Sequence, residues 1–166
     1  MAIFFKLIVI FLMMAINHIH GLVSTTKEID GKYYSFNKEL TTKNRATDAC
    51  IFAGGKLYEP KDKPNYDNIL VNAKRNDIYS FWLGIIEGSK KGEFIYQSDR
   101  SPIVFNLAQS DKYYNDKCIR GNTNSRNKWY HVQCDWDKYS YVCEKNGNGK
   151  SEHLISNFYF KIRVNF

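Results

Sequence analysis

Proline is scarce in this sequence, and beyond residue 21 no second long apolar run occurs. The chain has three prolines among 166 residues, and 43% of its residues are hydrophobic. This composition excludes collagen-like and wholly disordered chains, because enough apolar side chains are present to form a core. Since 166 residues fit one ordinary domain, we expect a single globular domain.

Histidine is also rare, and two of the four histidines, His18 and His20, lie within the first 21 residues. The other two, His131 and His153, belong to no recognisable set of Ser, His and acid, and to no paired nucleophile and base. The Asn-x-Ser/Thr acceptor of N-glycosylation is absent as well. We therefore predict that the protein is not an enzyme and carries no N-linked glycan.

The net charge of +7 is spread along the chain rather than concentrated in a basic block. Residues 1–21 contribute one positive charge and the tail from Asn146 contributes two, so the region between them keeps a net charge of +4. Proteins that bind nucleic acid neutralise phosphates with clustered lysine and arginine, and they carry recognisable motifs. Neither feature is present, and we predict no nucleic-acid partner.

The first 21 residues have the form of a secretory signal peptide. A short start with Lys6 precedes the apolar run Leu7–Ile16, and small and polar residues follow up to Gly21. The alternative is a membrane anchor, but this run is shorter than the roughly 20 residues that a spanning helix needs. We assign residues 1–21 to a signal peptide and expect a secreted, extracellular protein.

Cysteine use agrees with this location. All four cysteines, Cys50, Cys118, Cys134 and Cys143, lie after the signal peptide. An even number of cysteines in a secreted chain indicates disulfides, here two. Zinc is the competing interpretation, but structural zinc sites place cysteines two to four residues apart, and here the closest pair has eight residues between its members. Four cysteines allow three pairings, and the spacing alone does not choose among them.

The first half of the chain predicts one strand and two helices. Alternating aromatic residues favour a strand over Glu28–Asn37. A first helix capped by Thr41 or Thr42 has Cys50 on its inner face and ends at Gly54. A second helix starts after Pro64 and buries four side chains at helical spacing, Tyr66, Ile69, Leu70 and Ala73.

The second half predicts short strands separated by turn residues. We expect these strands at residues 81–86, 93–96, 102–105, 128–134 and 139–145. Residues 106–127 are rich in Asn, Ser, Asp and Lys and predict a long surface loop region. Helices first and strands later indicate an α+β fold.

The C-terminal residues 146–166 differ in composition from the rest. Asn146–Ser151 is a glycine-rich and polar segment typical of a flexible linker. Residues 158–166 then alternate apolar and polar side chains with the period of a strand. Such a strand either docks on its own domain or meets another chain, or the segment is absent from the true product.

The order and spacing of the cysteines and tryptophans form a recognisable pattern. Cys118 is followed by Trp129, Cys134 and Cys143, and Trp82–Ile85 (WLGI) precedes them. This pattern resembles the C-type lectin-like domain, and the helix carrying the first cysteine fits it too. The resemblance covers about Gly31 to Lys145, and we assign residues 28–145 to this domain. It implies two helices, short antiparallel sheets, a long loop region, and disulfides that pair Cys50 with Cys143 and Cys118 with Cys134.

The resemblance also describes the calcium site of sugar-binding members. Their ligands come from a proline-containing triplet, from an acidic residue shortly before the third cysteine, and from Asn-Asp after a tryptophan. Asp116 is the one clear match, whereas Tyr130 and His131 stand where Asn and Asp are expected. Calcium prefers six to eight oxygen ligands, and imidazole nitrogen is not among them. We predict no metal and no cofactor.

The side chains that we predict to contact a ligand are aromatic, basic or acidic and lie within or beside the loop region. They are Tyr113, Tyr114, Asp116, Arg120, Tyr130 and His131. Tyrosine and arginine are enriched at binding hot spots. We expect His131 to face solvent or the loop, and Trp82 and Trp129 to lie in the core.

These observations favour a secreted, calcium-independent C-type-lectin-like binding module whose partner is an extracellular protein or a glycan, and not a membrane. A calcium-dependent carbohydrate-binding lectin is the alternative, with Asp116 in a reduced calcium site. A third interpretation is a basic, membrane-active or toxin-like effector, which the net charge permits.

Overall fold

The computed structural model describes residues 24–105, 107–109 and 117–147, which form an α+β architecture. These residues contain nine strands, β1 (Thr25–Ile29), β2 (Lys32–Thr41), β3 (Lys56–Leu57), β4 (Ser80–Glu87), β5 (Phe94–Tyr96), β6 (Ala108–Gln109), β7 (Cys118–Asn122), β8 (Lys128–Val132) and β9 (Tyr139–Asn146). The two helices are α1 (Lys43–Phe52) and α2 (Lys63–Arg75). The predicted signal peptide and the tail from residue 148 onward lie outside the described residues. None of the helices within these ranges is long and apolar enough to cross a membrane.

The N-terminal strand is a hairpin, so the prediction of one strand over Glu28–Asn37 is wrong. Strands β1 and β2 pair antiparallel with Ile29 opposite Lys32, which leaves a two-residue turn. Both turn residues have positive φ, 52° at Asp30 and 74° at Gly31. Asp-Gly is a preferred sequence for this turn, because its backbone twist matches the twist of the flanking strands.

Both predicted helices are confirmed. Helix α1 has Thr42 at its N-cap position, but the Thr42 side chain makes no capping hydrogen bond. The helix ends where Gly54 takes φ 74°, and the Gly54 N–H donates to the Ile51 carbonyl. Helix α2 begins one residue before Pro64, and the Asp62 carboxylate accepts a hydrogen bond of 2.8 Å from the Asn65 N–H. The four predicted inner-face residues of α2 are all buried, at 1% exposure or less.

The sheet is mostly antiparallel, with a parallel contact at its centre. The strand order is β1, β2, β9, β4, β7, β8 and β6, while β3 pairs with β9 and β5 with β4. Strands β4 and β9 run parallel, with Phe81 opposite Ser140 and Trp82 opposite Tyr141. This pairing joins the N-terminal hairpin side of the sheet to the strands β7 and β8.

Two predictions for the second half are wrong. Residues 102–105 form no strand, since only Pro102 makes a bridge, to Ile95, and the Phe105 ring packs instead against Trp129 at 5.7 Å. The predicted loop region 106–127 contains β6 and β7. Its polar composition concealed β7, in which Ile119 and the neighbouring glycine are buried between β4 and β8.

Two buried clusters lie on the two faces of the sheet. Trp82 and Cys50 belong to the cluster beneath α1, and Trp129 and Tyr66 belong to the cluster beneath α2. Both tryptophans are fully buried, which confirms the prediction that they are core residues. Adjacent residues of β4 contribute to opposite clusters, because successive strand side chains point to opposite faces.

The two disulfides pair as the resemblance implied. Cys50–Cys143 joins α1 to β9, with 93 residues of sequence separation, and Cys118–Cys134 joins β7 to the segment after β8, with a separation of 16. Closing such loops restricts the unfolded chain, by roughly 4 to 5 and 3 kcal/mol respectively on the chain-entropy account. The second bridge also ties together the two strands that carry Arg120, Tyr130 and His131, three of the six predicted ligand contacts.

Candidate functional site

Three of the predicted contact residues lie on two neighbouring strands. Arg120 is in β7, and Tyr130 and His131 are in β8. The antiparallel register places Arg120 opposite Tyr130 and Ile119 opposite His131. The other three predicted contacts lie outside the described residues, namely Tyr113, Tyr114 and Asp116.

The Arg120 guanidinium is held between two tyrosine rings. Its central carbon lies 4.4 Å from the Tyr130 ring centroid and 5.0 Å from the Tyr139 centroid. Its Nη1 donates a hydrogen bond of 2.8 Å to the Ser80 hydroxyl. Cation–π contacts of this length stabilise the pair by about 0.5 to 2 kcal/mol, depending on desolvation. The arginine is therefore oriented in advance of any ligand.

Tyr139 is a member of this arrangement that the sequence did not reveal. It lies at the start of β9, which is separated from β7 by β4 in the sheet order. Its ring packs edge-on against Trp82 at 5.0 Å, and the Trp82 indole N–H donates to the Thr41 carbonyl at 2.7 Å. Strand alternation could have shown that Tyr139 shares a face with Tyr141, but only the β4–β9 pairing brings that face to Arg120.

We call the exposed patch around this arginine the Arg120 face. Its six residues are all partly exposed, and they are Ser80, Arg120, Asn122, Lys128, Tyr130 and Tyr139. Lys128 places its ammonium 5.7 Å from the Tyr130 centroid, on the same strand as that ring. Asn122 donates to the Ser80 hydroxyl at 3.4 Å. The Arg120 face thus combines two cations, two aromatic rings and two neutral polar groups.

Within the part of the chain that the structure describes, no ion pair compensates the positive charge of this face. The ion pairs found among the described residues involve neither Arg120 nor Lys128. Here aromatic rings surround the cation instead.

His131 lies on the opposite side of β8, and the expectation that it faces solvent or the loop is wrong. It is 6% exposed, and its ring packs against Phe94 with the centroids 4.9 Å apart. Side chains alternate along a strand, so when Tyr130 points to the outer face, its neighbours Trp129 and His131 point into the core. His131 therefore does not belong to the Arg120 face.

The two positions that follow Trp129 hold side chains already engaged in contacts within the domain. Where the resemblance places two oxygen ligands after Trp129, Tyr130 lies against Arg120 and His131 is buried against Phe94. The described residues include no group of three or more His, Cys, Asp or Glu side chains that could hold a metal ion. Calcium is bound in proteins by carboxylate and carbonyl oxygens, and neither side chain carries one.

A second charged cluster surrounds two buried carboxylates. The Lys56 ammonium lies 2.5 Å from Glu59 and 3.3 Å from Glu144, and the Glu59 and Glu144 side chains are 1% and 4% exposed. Glu59 also accepts hydrogen bonds from the Ser98 backbone N–H and hydroxyl. Burial raises the pKa of Glu144, while nearby Lys32 and Lys56 lower it. These contacts are internal, and they tie β3 to β9.

The cleft beside these carboxylates is small and of mixed charge. It measures about 150 Å³ and is lined by Asp30, Lys32, Tyr34, Glu59, Lys61, Asp62, Asn65 and Glu144. Its two buried carboxylates are already matched by lysines, with Lys61 lying 3.7 Å from Glu59 and Lys32 lying 4.0 Å from Glu144. We therefore assign the cleft a structural role and place the candidate binding site at the Arg120 face.

The chain was compared with known proteins by sequence and by structure. The family profile of the Lectin C-type domain matches residues 39–145. The chain belongs to the C-type lectin family. A mouse relative, C-type lectin domain family 3 member A, is 25% identical over 121 residues. That match covers 70% of this chain but 61% of the relative, so the chain spans less than two thirds of the relative's length.

Solved structures share the fold. Human lithostathine superposes with a TM-score of 0.65 at 21% identity, covering 73% of this chain and 88% of that structure. A calcium-independent type II antifreeze protein superposes with a TM-score of 0.61 at 17% identity, covering 75% of this chain and 95% of that protein. At such identities the likeness establishes the C-type lectin fold, and the ligand has to be inferred from the residues of the Arg120 face.

Proposed function

We propose that this C-type lectin family member is a secreted, non-enzymatic module that binds an extracellular protein or glycan through the Arg120 face without calcium. One observation carries the proposal. Tyr130 and His131 stand where sugar-binding members place calcium ligands, and these side chains contact Arg120 and Phe94 instead. The arginine-aromatic contact at this position supports recognition that does not depend on a metal ion.

The chemistry of the face supports direct recognition. Tyrosine and arginine contribute large contact areas and several hydrogen-bond donors, and both are enriched at binding hot spots. Arg120 is held by Tyr130, Tyr139 and Ser80, so little side-chain entropy remains to be lost on binding. The Cys118–Cys134 disulfide fixes β7 close to the arginine. The face is consequently rigid before the ligand arrives.

The remaining parts of the proposal have separate support. Two disulfides in a small domain favour an oxidising, extracellular location. A calcium-independent antifreeze protein with this fold supports the view that the fold does not require calcium. The described residues present no paired nucleophile and base at the Arg120 face, which is consistent with binding rather than catalysis.

The test is a binding screen of the full, disulfide-intact protein against arrays of glycans and extracellular-matrix proteins, in millimolar calcium and in EDTA. We expect at least one ligand whose binding survives EDTA. Arg120→Met should weaken this binding about tenfold or more, because a hydrogen bond to a charged group contributes roughly 1.5 to 3 kcal/mol. Arg75→Met is the matched control, since it removes the same charge from an exposed position on α2.

Thermal melts in calcium and in EDTA accompany the screen. We expect equal melting temperatures, since a ligand that binds the folded state would stabilise it in proportion to RT ln(1 + [L]/Kd). Binding that EDTA abolishes, together with a calcium-dependent rise in melting temperature, would replace this proposal with a calcium-dependent lectin. Release of dye from anionic vesicles would instead favour a membrane-active effector.

A further inference from the structure

The positive charge of Arg120 has no carboxylate partner among the described residues, although the side chain is partly covered. Its Nε is buried, and no described group accepts a hydrogen bond from it. We infer that the Arg120 face binds an oxyanion, a sulfate or carboxylate group, carried by an acidic glycan. This inference rests on the proposed function and specifies its ligand class.

The contacts of Arg120 suit an oxyanion. A guanidinium offers five N–H donors in a planar fork that matches the two oxygens of a carboxylate or sulfate. In this structure Nη1 donates to Ser80, and the Tyr130 and Tyr139 rings hold the cation without competing as ordinary hydrogen-bond acceptors. The rings orient the fork and leave donors for a ligand, which a carboxylate neighbour would have occupied.

A second cation extends the site along β8. Lys128 and Arg120 both lie close to the Tyr130 ring, with 5.7 Å and 4.4 Å to its centroid. Two cations beside one ring can pair with successive negative groups of a polymer, and the summed charge attracts such a polymer to this face. The expected ligand is therefore a chain of acidic sugars rather than a free sulfate ion.

The neutral members of the face favour a glycan over an acidic peptide. Ser80, Asn122 and the tyrosine hydroxyls provide donors and acceptors of the kind that sugar hydroxyls require. The face includes no aliphatic side chain, whereas peptides usually bind through an apolar side chain seated in a pocket. Tyrosine rings can also pack against the C–H groups of a pyranose.

Charge-matched variants on the two faces of the sheet can test which face binds the ligand. A Cβ at Gly121 would lie 3.0 Å from the hydroxyl of Tyr66 on α2, so Arg120, the next residue, projects from the other face of the sheet. Arg75 lies on α2, so the substitution Arg75→Met removes one positive charge from the side opposite to the proposed site. Arg120→Lys keeps the charge but loses the planar fork.

The experiment titrates the full, disulfide-intact protein in EDTA with three oligosaccharides of equal length, one heparin-derived, one hyaluronan-derived and one neutral dextran. We expect both acidic oligosaccharides to bind and dextran not to bind. Arg120→Met should weaken binding about tenfold or more and Arg120→Lys about threefold to tenfold, whereas Arg75→Met should change it less than about twofold. Binding should also weaken steeply with added salt. Circular dichroism spectra check that each variant is folded. Should Arg120→Met not fold, the loss of affinity in Arg120→Lys tests whether the guanidinium contacts the ligand.

The outcomes separate this inference from the proposed function. Equal losses for Arg120→Met and Arg75→Met would indicate diffuse charge attraction and overturn the inference. A neutral glycan or an unsulfated protein that binds in EDTA and depends on Arg120 would also overturn it, while the proposed function would stand. A tyrosine-sulfated peptide that binds when neither acidic oligosaccharide does would assign the site to a protein ligand.

Discussion

Replacing Lys56 should destabilise the fold because this lysine lies between two buried carboxylates. Its ammonium is 2.5 Å from Glu59 and 3.3 Å from Glu144, whose side chains are 1% and 4% exposed. Lys56→Met keeps most of the side-chain length but removes the charge. The two carboxylates would then remain in a medium of low dielectric with only peripheral lysines near them.

The size of the effect follows from the degree of burial. Removing one partner of a fully buried ion pair costs about 3 to 5 kcal/mol. Lys56 itself is 36% exposed, and Lys61 and Lys32 remain at 3.7 Å and 4.0 Å from the carboxylates. We therefore expect a loss of about 2 kcal/mol in the free energy of unfolding, which is roughly 5 to 10 °C in Tm for a domain of this size.

The loss should depend on pH in a defined direction. Burial raises the pKa of Glu144, so the folded protein binds this proton more tightly than the unfolded chain does. The resulting stabilisation is present at acid pH and is lost as pH rises through the folded-state pKa. Without Lys56 that pKa should rise further. The difference between Lys56→Met and the parent should consequently be largest near neutral pH and shrink toward about pH 5.

Denaturant unfolding with intact disulfides, at neutral and at mildly acid pH, measures both the loss in the free energy of unfolding and its dependence on pH. The control is Lys38→Met, which breaks the 2.9 Å pair with Asp77 at exposed positions and should cost no more than about 0.5 kcal/mol. Glu144→Gln in the Lys56→Met background should recover part of the loss. A Lys56→Met penalty equal to that of the control, or one that does not change with pH, would refute the reasoning.

Two further predictions concern buried positions. Burial lowers the pKa of Lys43 to about 7, so the unfolded chain binds more protons than the folded protein between this pH and 10.5, and stability should rise with pH in that interval. Lys43→Met should flatten the rise by about 1 kcal/mol per pH unit in unfolding curves from pH 7 to 9, and an unchanged slope would contradict the assignment. Gly84→Ala would place a Cβ 2.8 Å from the Leu57 carbonyl and should cost about 1 to 3 kcal/mol, whereas Gly88→Ala, with its nearest contact at 3.3 Å, should cost less in the same measurement.

The sequence by itself determined the features that depend on local periodicity and on cysteine and tryptophan spacing. Helical spacing identified the inner face of α2, and Gly54 marked the end of α1, because both reflect contacts within a few residues. The order of cysteines and tryptophans carried the resemblance, and with it the two disulfide pairings. Local signals were weaker for strands, so the Asp30-Gly31 turn and strand β7 were missed.

Only the tertiary structure decided which side chains share a surface. Alternation along β8 shows that Tyr130 and His131 point to opposite faces, but it does not show which face the helices cover. The sheet order places α2 over the side of His131 and leaves Tyr130 beside Arg120. Tyr139 joins them because β9 pairs parallel with β4, a contact between residues far apart in the chain. Such long-range pairings depend on the whole core being assembled, and no local pattern encodes them.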